Sequence, residues 1–454
     1  MSADSPVGAP DGSPPDPFAL VRTRGYVGLL VMAAALGVPI SAAAYGFLAL
    51  VNELQPWTYT DLPKALGFQE TPPWWPLPLL AAAGLLVGAT IRYLPGTGGH
   101  KPAEGLSTTG APKPLDLPGI FVAAVATLAL GAVLGPEAPL IALGSGAAIW
   151  LVRLLKPDLP ERVGAVVGAA GGFAAVSTLL GSPITGAFLL MEASGLGGPM
   201  LGIVLVPGLL AAGIGSLVFV GLDNWTGLGT YSLALPEVPH ANPPNVAEFG
   251  WALVIGLAAA LVGTGMRRLA LLAQPRVERR RLSATVLMGL AVAGLAIAFA
   301  EGTGKAATEV LYSGQTALGP LLVNSAEYSV GTLTLLVACK GLAYSASLSA
   351  FRGGPIFPAM FLGATGGIAM SHLPGLELTP AFAMGIGAMS VTMLGLPLTS
   401  VLLATLLLGS QGLTVMPLVI VTVVVAYVAA KRLSPPQTGG SRALENQGRG
   451  KASS

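Results

Sequence analysis

Apolar stretches dominate this chain, and their lengths are uneven. Long ones run over 26–51, 75–93, 120–134, 201–220, 251–271, 287–299, 330–350 and 415–430. Short ones run over 140–152, 163–180, 184–191, 356–370, 381–393 and 398–408. A full membrane crossing needs about 20 apolar residues. The long stretches therefore predict spanning helices, and the short ones predict helices broken by Gly or Pro. Such pieces are tolerated at membrane depth only where protein covers them or they line a wet cavity.

Composition agrees with that pattern. The 454 residues are 53% hydrophobic and 10% charged, against about a quarter charged in soluble domains. The fold class is thus an all-α polytopic membrane protein, and its 62 glycines favour close helix packing. A net charge of +2 offers no large basic face, so no nucleic-acid partner is expected. Cys339 is the single cysteine, which rules out an intrachain disulfide; it reads as a small buried hydrophobe. His100, His240 and His372 lack metal-ligand spacing. No nucleotide-binding or hydrolase motif is present. Neither a metal, a cofactor nor an enzymatic activity is expected.

Polar segments set the boundaries. Residues 1–20 read as a disordered tail and 434–454 as a polar one, flanking a membrane domain over 21–433. Arg22 and Arg24 precede the first span, and Lys431 and Arg432 follow the last. A basic loop holds Arg267, Arg268, Arg276, Arg279, Arg280 and Arg281. The positive-inside rule puts all three regions in the cytoplasm, with both termini inside and an even number of crossings of the cell membrane. The connections at 55–69 and 233–248 are poor in Lys and Arg and fit the outer side.

Two interruptions are near copies. Gly135-Pro136-Glu137-Ala138-Pro139 is followed by Gly144, and Gly354-Pro355-Ile356-Phe357-Pro358 by Gly363. Further on, Ser182-Pro183-Ile184-Thr185 matches Leu396-Pro397-Leu398-Thr399. This predicts a duplication into halves over about 21–222 and 245–433. A helix start within the membrane leaves backbone N–H groups free to attract an anion. Breaks at matching positions of two halves point to a transport site.

Only one copy carries a charge. An ionisable group inside a bilayer is costly and is usually functional. A carboxylate at Glu137 would compete with an anion for the same amides and leave the place free once protonated. It reads as a gate and a proton carrier. Gly96-Thr97-Gly98-Gly99 adds a loop where an anion can approach backbone N–H groups, with the Thr97 hydroxyl as a further donor. Lys340, within 330–350, reads as snorkelling or internally paired, or as a source of positive potential.

In these three segments the chain resembles the CLC family of chloride channels and chloride/proton antiporters. That family's signatures, G-S-G-I-P, G-[K/R]-E-G-P and G-x-F-x-P, correspond here to Gly96-Thr97-Gly98, Gly135–Pro139 and Gly354–Pro358. The resemblance covers roughly 24–431. It implies an inverted-repeat fold with many tilted and broken helices, a homodimer in the lipid bilayer, and one pathway per subunit for chloride or similar monovalent anions. Bound chloride ions would be the only ligands. It assigns Glu137 the gate and implies an anion-binding set of Thr97, Gly98, Gly135, Ala138, Gly354, Ile356 and Phe357.

The departures bear on mechanism. Pro136 stands where a Lys or Arg is usual, Ala138 replaces Gly, and Ile356 takes the usual Phe position. A final helix carrying a central tyrosine is not evident, and Tyr427 lies inside the preceding span. The internal proton-carrying glutamate of family antiporters maps to Ala193, with Glu192 its neighbour as a weaker relay candidate. Proton-coupled exchange is the expectation, with chloride and protons as the transported partners. A passive gated chloride channel is the alternative. An intramembrane enzyme would need a second catalytic group near Glu137. A cation carrier would need more mid-membrane carboxylates than Glu137 and Glu192.

Overall fold

The computed structural model describes residues 21–434, apart from 107–109, 159, 196–198 and 236. The expected tails at 1–20 and 435–454 lie outside the described residues. In chain order the helices are α1 (Arg24–Pro56), α2 (Leu62–Ala65), α3 (Pro76–Tyr93), α4 (Leu117–Ala129), α5 (Glu137–Leu155), α6 (Glu161–Ala175), α7 (Pro183–Ser194) and α8 (Pro199–Thr226). The second half continues with α9 (Val246–Arg279), α10 (Arg281–Thr303), α11 (Leu318–Val323), α12 (Val330–Ala350), α13 (Ile356–Met370), α14 (Leu378–Leu394), α15 (Pro397–Leu407) and α16 (Ser410–Leu433). Among the described residues, eight helical segments are long and apolar enough to cross a membrane. The shorter apolar helices include α13, α14 and α15, as the broken pattern predicts.

Local chemistry sets the helix ends. Ser329 caps α12 by accepting from Thr332 N at 3.1 Å. Asn245 and Glu248 form a reciprocal capping box at the start of α9. Gly304 and Gly395 end α10 and α14 in the left-handed conformation. One connection differs from expectation. Residues 55–69 are largely helical, because α1 runs through Pro56 into a single π-turn (Trp57–Asp61) and then α2. Pro63 cannot donate within this run; the carbonyls four and five residues before it, Tyr59 O and Thr58 O, accept instead from Thr71 Oγ1 at 2.7 Å and Trp75 Nε1 at 2.9 Å.

The short helices pair in the same way in both halves. A Cβ on Gly144 in α5 would strike the Gly171 carbonyl of α6. A Cβ on Gly363 in α13 would likewise strike the Gly385 carbonyl of α14. These are the glycines at the matched fifth position of the repeat, so the duplicated spacing is a packing requirement. The α13–α14 pair is buried almost throughout. Large apolar side chains such as Leu217, Leu261 and Leu272 are exposed on long helices, as lipid-facing positions require.

Candidate functional site

The two interrupted motifs meet. Gly135 N donates to Gly354 O at 2.8 Å and Gly354 N returns a bond to Gly135 O at 2.6 Å. This antiparallel bridge is isolated, outside any strand. It brings the Glu137 side chain to the start of α13. There the fully buried carboxyl accepts from Ile356 N, 2.5 Å from Oε1. The amides of Phe357 and of Glu137 itself also act on the carboxyl. Oε2 has no hydrogen-bond partner among the described residues. A Cβ on Gly135 or on Gly354 would collide with this carboxyl, so both bridge positions need glycine for the acid to lie between them.

Cavities reach both neighbours of Glu137. One of about 400 Å³ is lined by Leu134, Pro136, Tyr231, Tyr312 and Lys340. A larger one, about 1010 Å³, is lined by Ala138, Gly96, Gly99, His100, Ser145 and Arg153. The residues before and after Glu137 thus line different cavities, while Glu137 itself is buried away from both. The charged lining residues of the larger cavity are Asp116, Arg153 and Glu161. Beside His100, Lys101 pairs with Glu278 of α9 at 2.7 Å and with Glu104 at 3.4 Å. The Glu278 hydrogen bond holds the Lys101 ammonium above its usual range.

The Gly96-Thr97-Gly98 segment is not a helix start. Gly96, Thr97, Gly98 and Gly99 all have positive φ, at 77°, 51°, 69° and 98°. That run of left-handed residues is why glycine recurs there. Thr97 is exposed, and its backbone carbonyl, not its hydroxyl, makes the hydrogen bond found there, accepting from Arg352 Nε at 3.2 Å. Gly98 is buried beside Ala123, Ile91 and the Arg352 side chain. Arg352 stands four residues before Ile356, so this loop is joined to the lead-in of α13.

The other candidates fall into place as follows. Gly354, Ile356 and Phe357 are buried around the Glu137 carboxyl, and Ala138 faces the larger cavity. Glu192 is elsewhere engaged. Its carboxylate takes the Leu398 and Thr399 amides at 3.0 and 2.8 Å and the Thr399 hydroxyl at 2.6 Å, capping α15. Ala193 packs against the core. Lys340 is internally paired: its buried ammonium donates to the carbonyls of Glu309, Val310 and Leu311 at 2.8, 3.2 and 2.8 Å, with the Phe361 ring 4.5 Å away. Tyr427 is part of α16.

Two residues at the site escaped the sequence reading. Tyr344 is fully buried and its hydroxyl donates to Pro355 O at 2.8 Å, fixing the carbonyl just before the Glu137-binding amide. Arg352 is 3% exposed. Each carried a signal: a lone tyrosine within the apolar run of α12, and a charge directly before Gly353-Gly354. Among the described residues no group of three His, Cys, Asp or Glu gathers for a metal.

Comparison with known proteins converges on one family. The family model described as voltage gated chloride channel matches residues 83–431. YfeO of Escherichia fergusonii, which carries a provisional ion-transport name, is 29% identical over 362 residues, covering 78% of this chain and 81% of that protein. YfeO of Salmonella paratyphi A is 27% identical over 365 residues, covering 79% and 84%. Among solved structures, a slow cyanobacterial Cl−/H+ antiporter superposes with a TM-score of 0.70 at 19% identity, covering 89% of this chain and 95% of its own. A CLC-type fluoride/proton antiporter gives 0.61 at 19% identity, covering 89% and 96%. The match of the family model over most of the chain, carried on the fold of these antiporters, makes this protein a member of the voltage-gated chloride channel (CLC) family.

Proposed function

We propose that this protein moves chloride or a similar monovalent anion across the membrane in exchange for protons, with Glu137 as the gate. Membership of a transport family already makes it an anion-transport protein and not an enzyme. One observation carries the finer reading: a single fully buried carboxyl occupies the amides at the start of α13, and its two chain neighbours line different cavities. Those amides would suit an anion equally well. Ionised, Glu137 fills the position and blocks passage; protonated, it loses its charge-assisted bond and yields to the anion. A site of this kind holds an ion only moderately, so that the ion can also leave.

The remaining expectations join this proposal. Ile356 and Phe357 offer amides, Gly135 and Gly354 allow close approach, Ala138 and the Thr97–Gly98 loop border the inner space, and the protein works as a homodimer of inverted repeats in the cell membrane. The basic ends of α9 and α16, linked by Arg268 and the Leu433 carbonyl, lie in the cytoplasm with both termini. For the inner proton step Glu192 is the acidic candidate beside Ala193.

The test is paired chloride and proton flux from liposomes holding purified protein. Glu137→Gln is expected to keep or raise chloride flux, to abolish proton movement and to remove the rise in flux as pH falls. Wild-type proton coupling in that variant refutes the gate. Ala193, which cannot carry a proton, favours the second reading, a passive gated channel. Wild-type chloride flux with no proton flux would establish it.

A further inference from the structure

We infer that Arg352 is a fixed cation that binds the transported anion at the loop of Gly96, Thr97 and Gly98, and so sets anion affinity on the side of the larger cavity. This rests on the anion-transport reading and adds a residue that the duplicated motifs do not contain.

Three observations carry it. First, the side chain is 3% exposed, and among the described residues no carboxylate pairs with it. A buried guanidinium without a counter-charge is strongly unfavourable. Its hydrogen bonds go to neutral carbonyls, Nε to Thr97 O at 3.2 Å and Nη1 to Phe351 O at 3.2 Å. Second, Nη2 has no partner among the described residues. Buried polar groups nearly always find one, so this nitrogen offers donors to a ligand. Third, the acids nearby are held by other groups: the Asp116 carboxyl, which lies against Gly96, takes the Lys113 amide. Glu278 and Glu104 act on Arg352 from a distance, but both are engaged by Lys101, while Arg281 adds to the positive side.

The guanidinium lies behind the loop whose flanking glycines line the larger cavity. The Arg352 Cγ lies 3.5 Å from where a Cβ on Gly98 would stand, and Gly96 and Gly99 line the cavity that reaches Ala138. Four residues later, Ile356 N holds the Glu137 carboxyl. A small monovalent anion such as a halide or nitrate would meet Nη2 here and balance the guanidinium charge. The two bonds to carbonyls keep the fork oriented when the anion leaves.

The experiment uses the full-length protein with bromide as probe. Crystals soaked in bromide should show anomalous density within hydrogen-bond reach of the Arg352 guanidinium, and chloride should compete it away. Calorimetric bromide affinity should fall about tenfold in Arg352→Gln and less in Arg352→Lys, which keeps the charge. Half-saturating chloride in liposome flux should rise in parallel. A residue that only pins the loop would change the maximal rate with half-saturation unmoved, and that outcome overturns the inference. Bromide density absent from the guanidinium in wild-type crystals overturns it too, even if the Gln variant fails to fold. Bromide at Arg352 in a protein that moves no anion would overturn the transport reading, and with it the role of this site in transport, leaving an anion site alone.

Discussion

Gly354→Ala tests the proposed gate by displacing the acid without replacing it. The backbone at Gly354 is not in the left-handed region, so alanine fits the chain. The three atoms nearest its new Cβ all belong to the Glu137 side chain. A flexible side chain can move aside, whereas a backbone cannot. The carboxyl is therefore expected to leave Ile356 N while the Gly135–Gly354 bridge and the α13–α14 packing survive. A hydrogen bond to a charged group contributes about 1.5–3 kcal/mol. Losing it shifts the blocked-to-open ratio by roughly 10- to 150-fold, at about 1.4 kcal/mol per decade. Chloride flux from liposomes at neutral pH should rise by about an order of magnitude or more where the gate limits it. Because the effect acts through Glu137, Gly354→Ala combined with Glu137→Ala should match Glu137→Ala alone, the non-additivity of coupled sites. A folded Gly354→Ala protein with unchanged flux, or a double variant that adds to the single, refutes the argument.

Other perturbations separate structural roles from this one. Gly363→Ala puts its Cβ into the Gly385 carbonyl, a backbone clash costing about 1–3 kcal/mol or more; it should lower the thermal midpoint of the purified protein. Gly294→Ala, with nothing within 4 Å, should leave that midpoint unchanged or slightly raised. Lys340→Met strands three carbonyls at Glu309, Val310 and Leu311, at a cost of about 3 kcal/mol or more; a midpoint within a degree of wild type would contradict that role. Glu192→Gln should keep part of the α15 cap. If Glu192 also relays protons, the variant folds and loses proton flux but not chloride flux; unchanged coupling removes it from the route.

Much of this architecture is written locally. The matched Gly-Pro breaks, the glycines at 144 and 363, and the isolated charge at Glu137 follow from period and spacing, because each helix needs a start and a close-packing face. Long-range pairings are a different matter. The Glu137–Ile356 bond joins residues 219 apart, and no local pattern states which helix start a given acid will reach. The same limit hid the burial of Arg352, since a charge beside two glycines fits a solvent turn equally well. The helical run through 55–65 was obscured by Pro56 and Pro63, since no local pattern tells that distant side chains take up the carbonyls a proline leaves free.

The comparison of the two acids shows what distance adds to a motif. Glu137 and Glu192 are each supplied by the first half and each lie on the start of a short helix in the second. Glu192 has both oxygens satisfied, by two amides and a hydroxyl, so any movement would break several charge-assisted bonds at once. Glu137 has one geometric hydrogen bond, one bare oxygen, and cavities touching the residues on either side. The first arrangement is a fastening and resists exchange. The second is poised for replacement, because its donors are amides at a helix start that an anion could take over, and one of its oxygens is held by nothing. Both acids come from the first half and reach into the second, so what separates them is that Glu192 has both oxygens hydrogen-bonded and Glu137 leaves one bare.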